Sequence, residues 1–270
     1  MQGDLVVSNP SLVIVGGGNM GAALARGLVA NKFLMPSELA IVESSGEQRA
    51  ILFQDFPQAK ISEQMLNCDS VIIAVKPNDV FDVCSTLQNF GVKQLLSIAA
   101  GVTIASIESA CQNSISVVRA MPNTPALIGQ GASAMAASVN CSSDQISWAK
   151  RILLSVGKVV EVDENLLDAV TGLSGSGPAY IFLLAEALID AGVHQGLSAE
   201  VANDLVRQLL VGSSALLAQS DVSPAKLRQN VTSPNGTTAA GIATLENKHF
   251  AEIIAAAVHA ATARSKELGQ

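Results

Sequence analysis

Aromatic residues are almost missing from this 270-residue chain, with one Trp, one Tyr and seven Phe making up 3%. The core must therefore be aliphatic and alanine-rich, a composition that lets helices approach one another closely. Charge is scarce as well, at 14% against 49% hydrophobic residues, which excludes an extended disordered chain. No basic excess exists. The net charge of −7 argues against nucleic acid and anionic membrane as partners, since both need a basic surface. Cysteine is limited to Cys68, Cys84, Cys111 and Cys141, widely spaced and without a C-x-x-C. That pattern implies reduced thiols in a cytoplasmic protein, with no disulfide frame and no zinc site. His194, His249 and His259 lack metal-ligand spacing, so no metal is expected. Met1–Asn9 has neither the basic start nor the apolar stretch of a signal peptide and reads as a short tail. Ala169–Ala185 carries no charge, yet Gly172, Gly175, Gly177 and Pro178 interrupt it, so no membrane span is expected.

What is present is organised around Leu12–Arg26, an apolar strand running into a glycine turn and then a helix. Gly16, Gly18 and Gly21 have G-x-G-x-x-G spacing. The first glycine permits a sharp turn, the second a close backbone approach to a pyrophosphate, the third close packing of helix on strand. Asn19 and Met20 open the helix, whose free amides and positive dipole end suit an anionic ligand. The stretch therefore predicts a dinucleotide site.

A second strand, Leu39–Val42, ends at Glu43, placed to bond adenosine ribose hydroxyls and select NAD. Ser44, Ser45 and Arg49 pull the other way, as donors suited to the ribose phosphate of NADP. The two cofactors stay close to balance, NADPH slightly ahead and NADH the alternative. A helix near Gly46–Phe56, a short strand around Lys60, and the apolar strand Val71–Val75 follow, the last running into Lys76-Pro77. A β-branched run of this kind suits a parallel strand buried on both faces, and Pro77 suits the start of a helix. The rhythm recurs in Leu95–Ala100 with Gly101, a helix from Ile104, and Ser116–Ala120. These alternations predict a Rossmann-like, doubly wound parallel α/β sheet. Met121-Pro-Asn-Thr-Pro125 reads as a fixed loop at the carboxyl edge of the sheet, because its prolines exclude helix and inner strand. Ala132–Ala137, a helix over about 142–155 and Lys158–Val162 complete a first domain, 1–163.

Residues 164–270 read as an all-α domain, with helices at Pro178–Val193, Ala199–Gln219, Pro224–Asn230, Thr237–Glu246 and Phe250–Leu268. Thr171–Pro178 reads as a flexible knot before the first of these. That first helix is apolar nearly all round, with Glu186 and Asp190 alone on one stripe, so it must be buried on most sides. About a hundred residues are too few to bury it within one subunit, which predicts an intertwined homodimer through the helical domain. The loop Val231–Thr238 clusters Ser233, Thr237 and Thr238 at a helix start. Alone it reads as an N-capping turn; with the small polar loop Gly172–Pro178 it reads as a carboxylate-binding pocket.

The blocks Gly16–Gly21, Ala74-Val-Lys-Pro77, Ala99-Ala-Gly-Val-Thr103, Arg119–Pro125, Thr171–Tyr180 and Ser233–Thr238, in this order, resemble the pyrroline-5-carboxylate reductases. The resemblance implies hydride transfer from NAD(P)H to the imine carbon of 1-pyrroline-5-carboxylate, giving L-proline. It implies subunits that interlock through their second domains and build larger homo-oligomers. By position, Thr238 would donate to the imine nitrogen, while Ser233, Gly236 and Thr237 would cradle the substrate carboxylate. Ala74, Val75, Lys76, Pro77, Ala99, Ala100, Gly101 and Asn123 would line the cofactor. Ser174, Ser176 and Asp221 are further substrate-side candidates. Asn235 stands where the family usually has glycine, Asp221 where it has glutamate, and Arg228 where it has lysine. The loops hold no histidine, aspartate or lysine to act as a strong acid, so catalysis should rest on positioning. The rivals are a 3-hydroxyacid or prephenate dehydrogenase of the same build and a non-catalytic dinucleotide-binding protein. The first usually needs a lysine or histidine proton carrier, and the second would show a damaged second site.

Overall fold

A computed structural model describes residues 9–269; of the expected amino-terminal tail only Asn9 lies among them. The strands β1 (Leu12–Val15), β2 (Leu39–Val42), β3 (Lys60–Ser62), β4 (Ser70–Ile73), β5 (Gln94–Ser97), β6 (Ser116–Met121), β7 (Gly131–Ala137) and β8 (Gly157–Glu161) form one eight-stranded sheet. Its order is β3-β2-β1-β4-β5-β6-β7-β8. Along β1, side chains alternate between two hydrophobic clusters, Leu12 and Ile14 in one, Val13 and Val15 in the other. A sheet buried on both faces requires that pattern. The first cluster takes Leu24 and Leu28 of α1 (Asn19–Ala30), Leu52 of α2 (Gly46–Asp55) and Ile152 of α5 (Ser143–Leu154). The second takes Val80 of α3 (Val80–Cys84), Ile107 of α4 (Ile104–Ala110) and Leu167 of α6 (Leu167–Val170). The strand order reverses between β1 and β4, so their carboxyl ends frame the crevice where open α/β sheets bind ligands.

The expected all-parallel sheet is corrected at one place: β6 and β7 are antiparallel. Their connection, residues 122–130, holds only a short 3₁₀ turn, Thr124–Ile128. A parallel return needs a longer crossover, usually a helix, so the short loop turns the chain back beside itself. β8 then pairs parallel to β7. Pro77 starts a 3₁₀ turn, Pro77–Asp79, that leads into α3.

Two compact units result, 1–176 with 260–270, and 177–259. The sequence reading divides the chain at 163/164, before the segment that carries α6. In the fold that segment stays with the sheet, because Leu167 is fully buried in the second cluster and Glu164 pairs with Arg119. The flexible knot expected at Thr171–Pro178 is corrected. Thr171–Gly175 is a π-helical turn that continues α6 toward α7 (Gly177–His194), so its glycines sit inside a helix and not in a loop.

The second unit holds α7, α8 (Ala199–Gln219), α9 (Pro224–Asn230), α10 (Thr237–Asn247) and the start of α11 (Phe250–Leu268). Gly192 lets α7 meet α8 closely, since a Cβ there would lie 3.3 Å from that of Ala202. No residue of α7 or α10 is buried within the chain. Phe182 and Leu183 are exposed at 61% and 65%. The single chain thus leaves the most apolar helix uncovered, against its sequence character.

Candidate active site

The crevice is built first by glycine geometry. Gly16 has φ +102°, and a Cβ on it would lie 2.6 Å from the Ala74 carbonyl carbon, so only glycine lets β1 and β4 end this close. A Cβ on Gly21 would strike the Gly16 carbonyl oxygen, whereas Gly18 faces open space. Gly18 is the N-cap of α1, with no side-chain cap and no acidic residue in the first turn. The exposed Asn19 and half-buried Met20 follow it. The amides at this end are therefore open to a pyrophosphate, and the residues fit a dinucleotide.

The adenosine side differs from expectation in the work Glu43 does. Its Oε2 accepts from the Gly17 amide at 2.9 Å and its Oε1 from the Ser45 amide at 2.9 Å, so the carboxylate braces the glycine loop. Gln48 adds a second brace through Nε2 to the Gly17 carbonyl at 2.8 Å. Arg49 Nη1 donates to the carbonyls of Glu43 and Ser44, both at 2.8 Å, and Nη2 pairs with Glu63 at 3.1 Å. Glu63 is 67% exposed, and an ion pair in such a setting is weak and exchangeable. Ser45 Oγ caps α2 by accepting from the Gln48 amide, and the exposed Ser44 hydroxyl donates to Glu43 Oε1 at 3.4 Å.

At the carboxyl ends of β4, β5 and β6 lies a cavity of ≈ 310 Å³. It collects Met20, Ala74, Val75, Pro77, Ala99 and Ala100, with Asn123 on its rim, from the expected set. It is walled mainly by aliphatic and backbone atoms, which suits one face of a flat ring. Lys76 is exposed and does not line it. Gly101, at φ +80°, turns away, and its α-carbon rests against the end of α11 with Gly269 N 3.1 Å from a built Cβ. The loop around Asn123 contributes Met121, Pro122 and Thr124 as well, while Ile98 and Gly175 are lining that sequence reasoning missed. Gly175 enters only because the π turn carries it there, against Met121, whose Cε would lie 2.6 Å from a built Cβ.

In the second unit, Ser233–Thr238 forms a tight turn closed by the Gly236 amide donating to the Ser233 carbonyl at 3.0 Å. Asn235 adopts φ +59°, the left-handed geometry that asparagine tolerates in place of glycine. Gly236 is the N-cap of α10, again with no side-chain cap and no acid in the first turn. The simple N-capping reading of the Ser/Thr cluster therefore fails: none of these hydroxyls caps the helix. Ser233, Thr237 and Thr238 are exposed beside open helix amides, an arrangement that can bind a carboxylate. Asp221 is exposed between α8 and α9, and Arg228 pairs with Glu246 at 3.5 Å on the surface. Ser174 turns its hydroxyl to the Val170 carbonyl at 3.2 Å, and Ser176 ends the π turn.

Side-chain caps make the contrast clear. Ser45, Thr103, Ser142, Ser198 and Ser223 cap α2, α4, α5, α8 and α9. α1 and α10 instead start at bare glycines.

Comparison with known proteins finds two family matches along the chain. Residues 164–268 match the family described as pyrroline-5-carboxylate reductase dimerisation, and residues 11–101 the family described as NADP oxidoreductase coenzyme F420-dependent. A pyrroline-5-carboxylate reductase of Synechocystis is 42% identical over 264 residues, covering 96% of this chain and 98% of that protein. The structure of a pyrroline-5-carboxylate reductase from Coxiella burnetii superposes with TM-score 0.89 at 34% identity, covering 97% of this chain and all of that one (100%). The crystal structure of Plasmodium falciparum pyrroline carboxylate reductase with NADP bound gives TM-score 0.84 at 33% identity, covering 97% and 99%.

Proposed function

The chain belongs to the pyrroline-5-carboxylate reductase family, and on that premise we propose that it reduces 1-pyrroline-5-carboxylate to L-proline with a reduced nicotinamide dinucleotide. The observation that carries the reading is the pair of uncapped glycine-led helices, α1 for the cofactor pyrophosphate and α10 for the substrate carboxylate. When bound, the reduced nicotinamide supplies a hydride. Ala74, Val75, Pro77, Ala99 and Ala100 would wall one face of the ring and exclude water from it. Ser233, Gly236 and Thr237 fix the carboxylate, and the Thr238 hydroxyl donates to the imine nitrogen, drawing electron density from the acceptor carbon. With no strong acid in the Ser233–Thr238 turn, the gain comes from placement, and water delivers the proton.

NADPH is the favoured cofactor in this reading. Both oxygens of Glu43 already accept from backbone amides, while Ser44 and Arg49 offer a hydroxyl and an exchangeable cation. Helices α7 and α8 form a homodimer, from which larger homo-oligomers grow, and 164–270 serves as the dimerisation and substrate domain. The run Glu164–His194 contains an eighteen-residue stretch of mean hydropathy 1.3, apolar enough to cross a membrane by composition; the reading assigns that surface to a second subunit. Cytoplasmic placement goes with the four free thiols.

Following NADPH and NADH oxidation with and without 1-pyrroline-5-carboxylate tests the reading. Saturable, substrate-dependent oxidation is expected, faster with NADPH. The absence of substrate-dependent oxidation with both cofactors overturns it.

A further inference from the structure

Arg119 lies within β6 and is only 4% exposed, so its charge needs close partners. Its Nη1 pairs with Glu164 Oε1 at 3.1 Å, and its Nη2 lies 3.7 Å from Asp168 Oδ1. Each carboxylate then makes one further contact that leads away from the arginine. Glu164 Oε1 accepts from the amide of Ile104 at 2.7 Å, at the first residue of α4. Asp168 Oδ1 accepts from the Ser265 hydroxyl at 2.7 Å, a residue only 3% exposed near the end of α11. That end of α11 presses on Gly101, whose built Cβ would lie 3.2 Å from the Ser265 carbonyl oxygen.

The loop that carries Ala99 and Ala100 into the cavity is thus held twice on its far side, at Gly101 and at Ile104. Both holds lead back to one buried guanidinium. An apolar residue at 119 would keep β6 in the sheet as well or better, since buried ion pairs seldom add net stability. Only a charged fork, however, can aim two carboxylates at two fixed donors. We propose that Arg119 is a positioning residue for the reductase, setting through Glu164, Asp168 and Ser265 the wall against which the nicotinamide ring packs. The inference rests on the cavity being the nicotinamide site; the adenosine half of the ligand, at the glycine loop and Glu43, lies outside the reach of this chain of contacts.

That difference supplies the test. Binding of NADPH and of adenosine 2′,5′-bisphosphate is measured on the full chain for Glu164→Ala, Glu164→Gln and Ser265→Ala, with thermal midpoints alongside. Glu164→Ala should weaken NADPH about tenfold and leave the bisphosphate nearly unchanged. Glu164→Gln, whose carbonyl still accepts from Ile104 but whose neutral amide no longer answers the Arg119 charge, should recover part of the loss. Ser265→Ala, a deletion of one hydroxyl that does not endanger folding, should move NADPH alone in the same direction. Equal losses for both ligands, unchanged NADPH binding, or a glutamine variant as weak as the alanine one overturn the proposal. A wild-type chain that binds neither ligand removes the dinucleotide reading itself, and this inference with it.

Discussion

Asn123 donates through Nδ2 to the Ser174 carbonyl at 3.0 Å, tying the proline loop to the π turn across fifty-one positions of sequence. Its Oδ1 accepts from the Ala132 amide at 2.8 Å, so one half-buried amide links the loop, β7 and the turn that carries Gly175 into the cavity. Both ends of the side chain are used to build the wall. Asn123→Ala leaves two backbone groups without their partner and should cost about 1–3 kcal/mol of stability, read as a lower urea midpoint. Asn123→Asp keeps the acceptor but sets an oxygen against the Ser174 carbonyl, so it should lower the urea midpoint at least as much.

Thr238 sits in the uncapped first turn of α10, beside open amides. Thr238→Ala should retain NADPH binding and lose about 10- to 100-fold in kcat, the range expected for removing one donor to a developing charge. Thr238→Ser keeps the hydroxyl and should keep most of the turnover. Steady-state kinetics with both substrates varied separates the two effects. Full turnover in the alanine variant removes Thr238 from the mechanism.

Much of this arrangement is legible from local pattern. The run Val71–Val75 announces a buried strand because β-branched residues without alternation suit a sheet covered on both faces. The glycines at 16, 18 and 21 announce the turn because their geometry is local. What local pattern does not carry is pairing over distance. The sense of β7 depends on how it meets β6, and Ala132–Ala137 reads the same in either direction. Gly172 and Gly175 look like breaks, yet neighbours hold them in a π turn. Glu43 is in the expected place but faces inward to Gly17, a contact between residues 26 apart. Gly101 falls within a cofactor-like block, and only the return of α11 shows that it serves as a seat for that helix.

Arg49 decides between the cofactors if the adenosine edge works as proposed. Its pair with Glu63 is open to solvent and can give way to a ribose phosphate. Arg49→Gln should shift the ratio of kcat/KM for NADPH over NADH by about tenfold toward NADH, the effect of losing one charge-assisted contact. Equal loss with both cofactors shows instead that Arg49 acts through the Glu43 and Ser44 carbonyls it holds.

The Cys68 thiol, buried before β4, is pushed from the ordinary value of 9.0 up to about 11 by burial. Below pH 9 the thiol is protonated in both folded and unfolded chains and leaves stability untouched. As pH rises from 9 to about 11, the unfolded chain gives up the proton that the folded chain retains, so stability is lost across that window. A shift of this size corresponds to about 2–3 kcal/mol. Urea midpoints followed through the window should fall for the wild type and fall less steeply for Cys68→Ala. Parallel curves for the two proteins remove Cys68 as the cause.

The last prediction concerns α7, which is the most apolar helix and yet has no residue buried within the chain. Phe182 and Leu183 are more than half exposed, and each side chain of this kind covered by a partner contributes about 1.5–3 kcal/mol. The only acids on the helix, Glu186 and Asp190, leave a wide surface that water solvates poorly. In the dimer proposed above a second copy would supply the missing cover, and α7 lies within the dimerisation match at 164–268. Leu183→Glu places a charge on that surface and should shift the protein toward monomer in sedimentation velocity runs. NADPH binding should persist, because the glycine loop and the nicotinamide-side cavity belong to the first unit. Turnover should fall, because the substrate turn proposed at Ser233–Thr238 lies in the same unit as α7. A variant that stays dimeric with full turnover places the interface elsewhere than on α7.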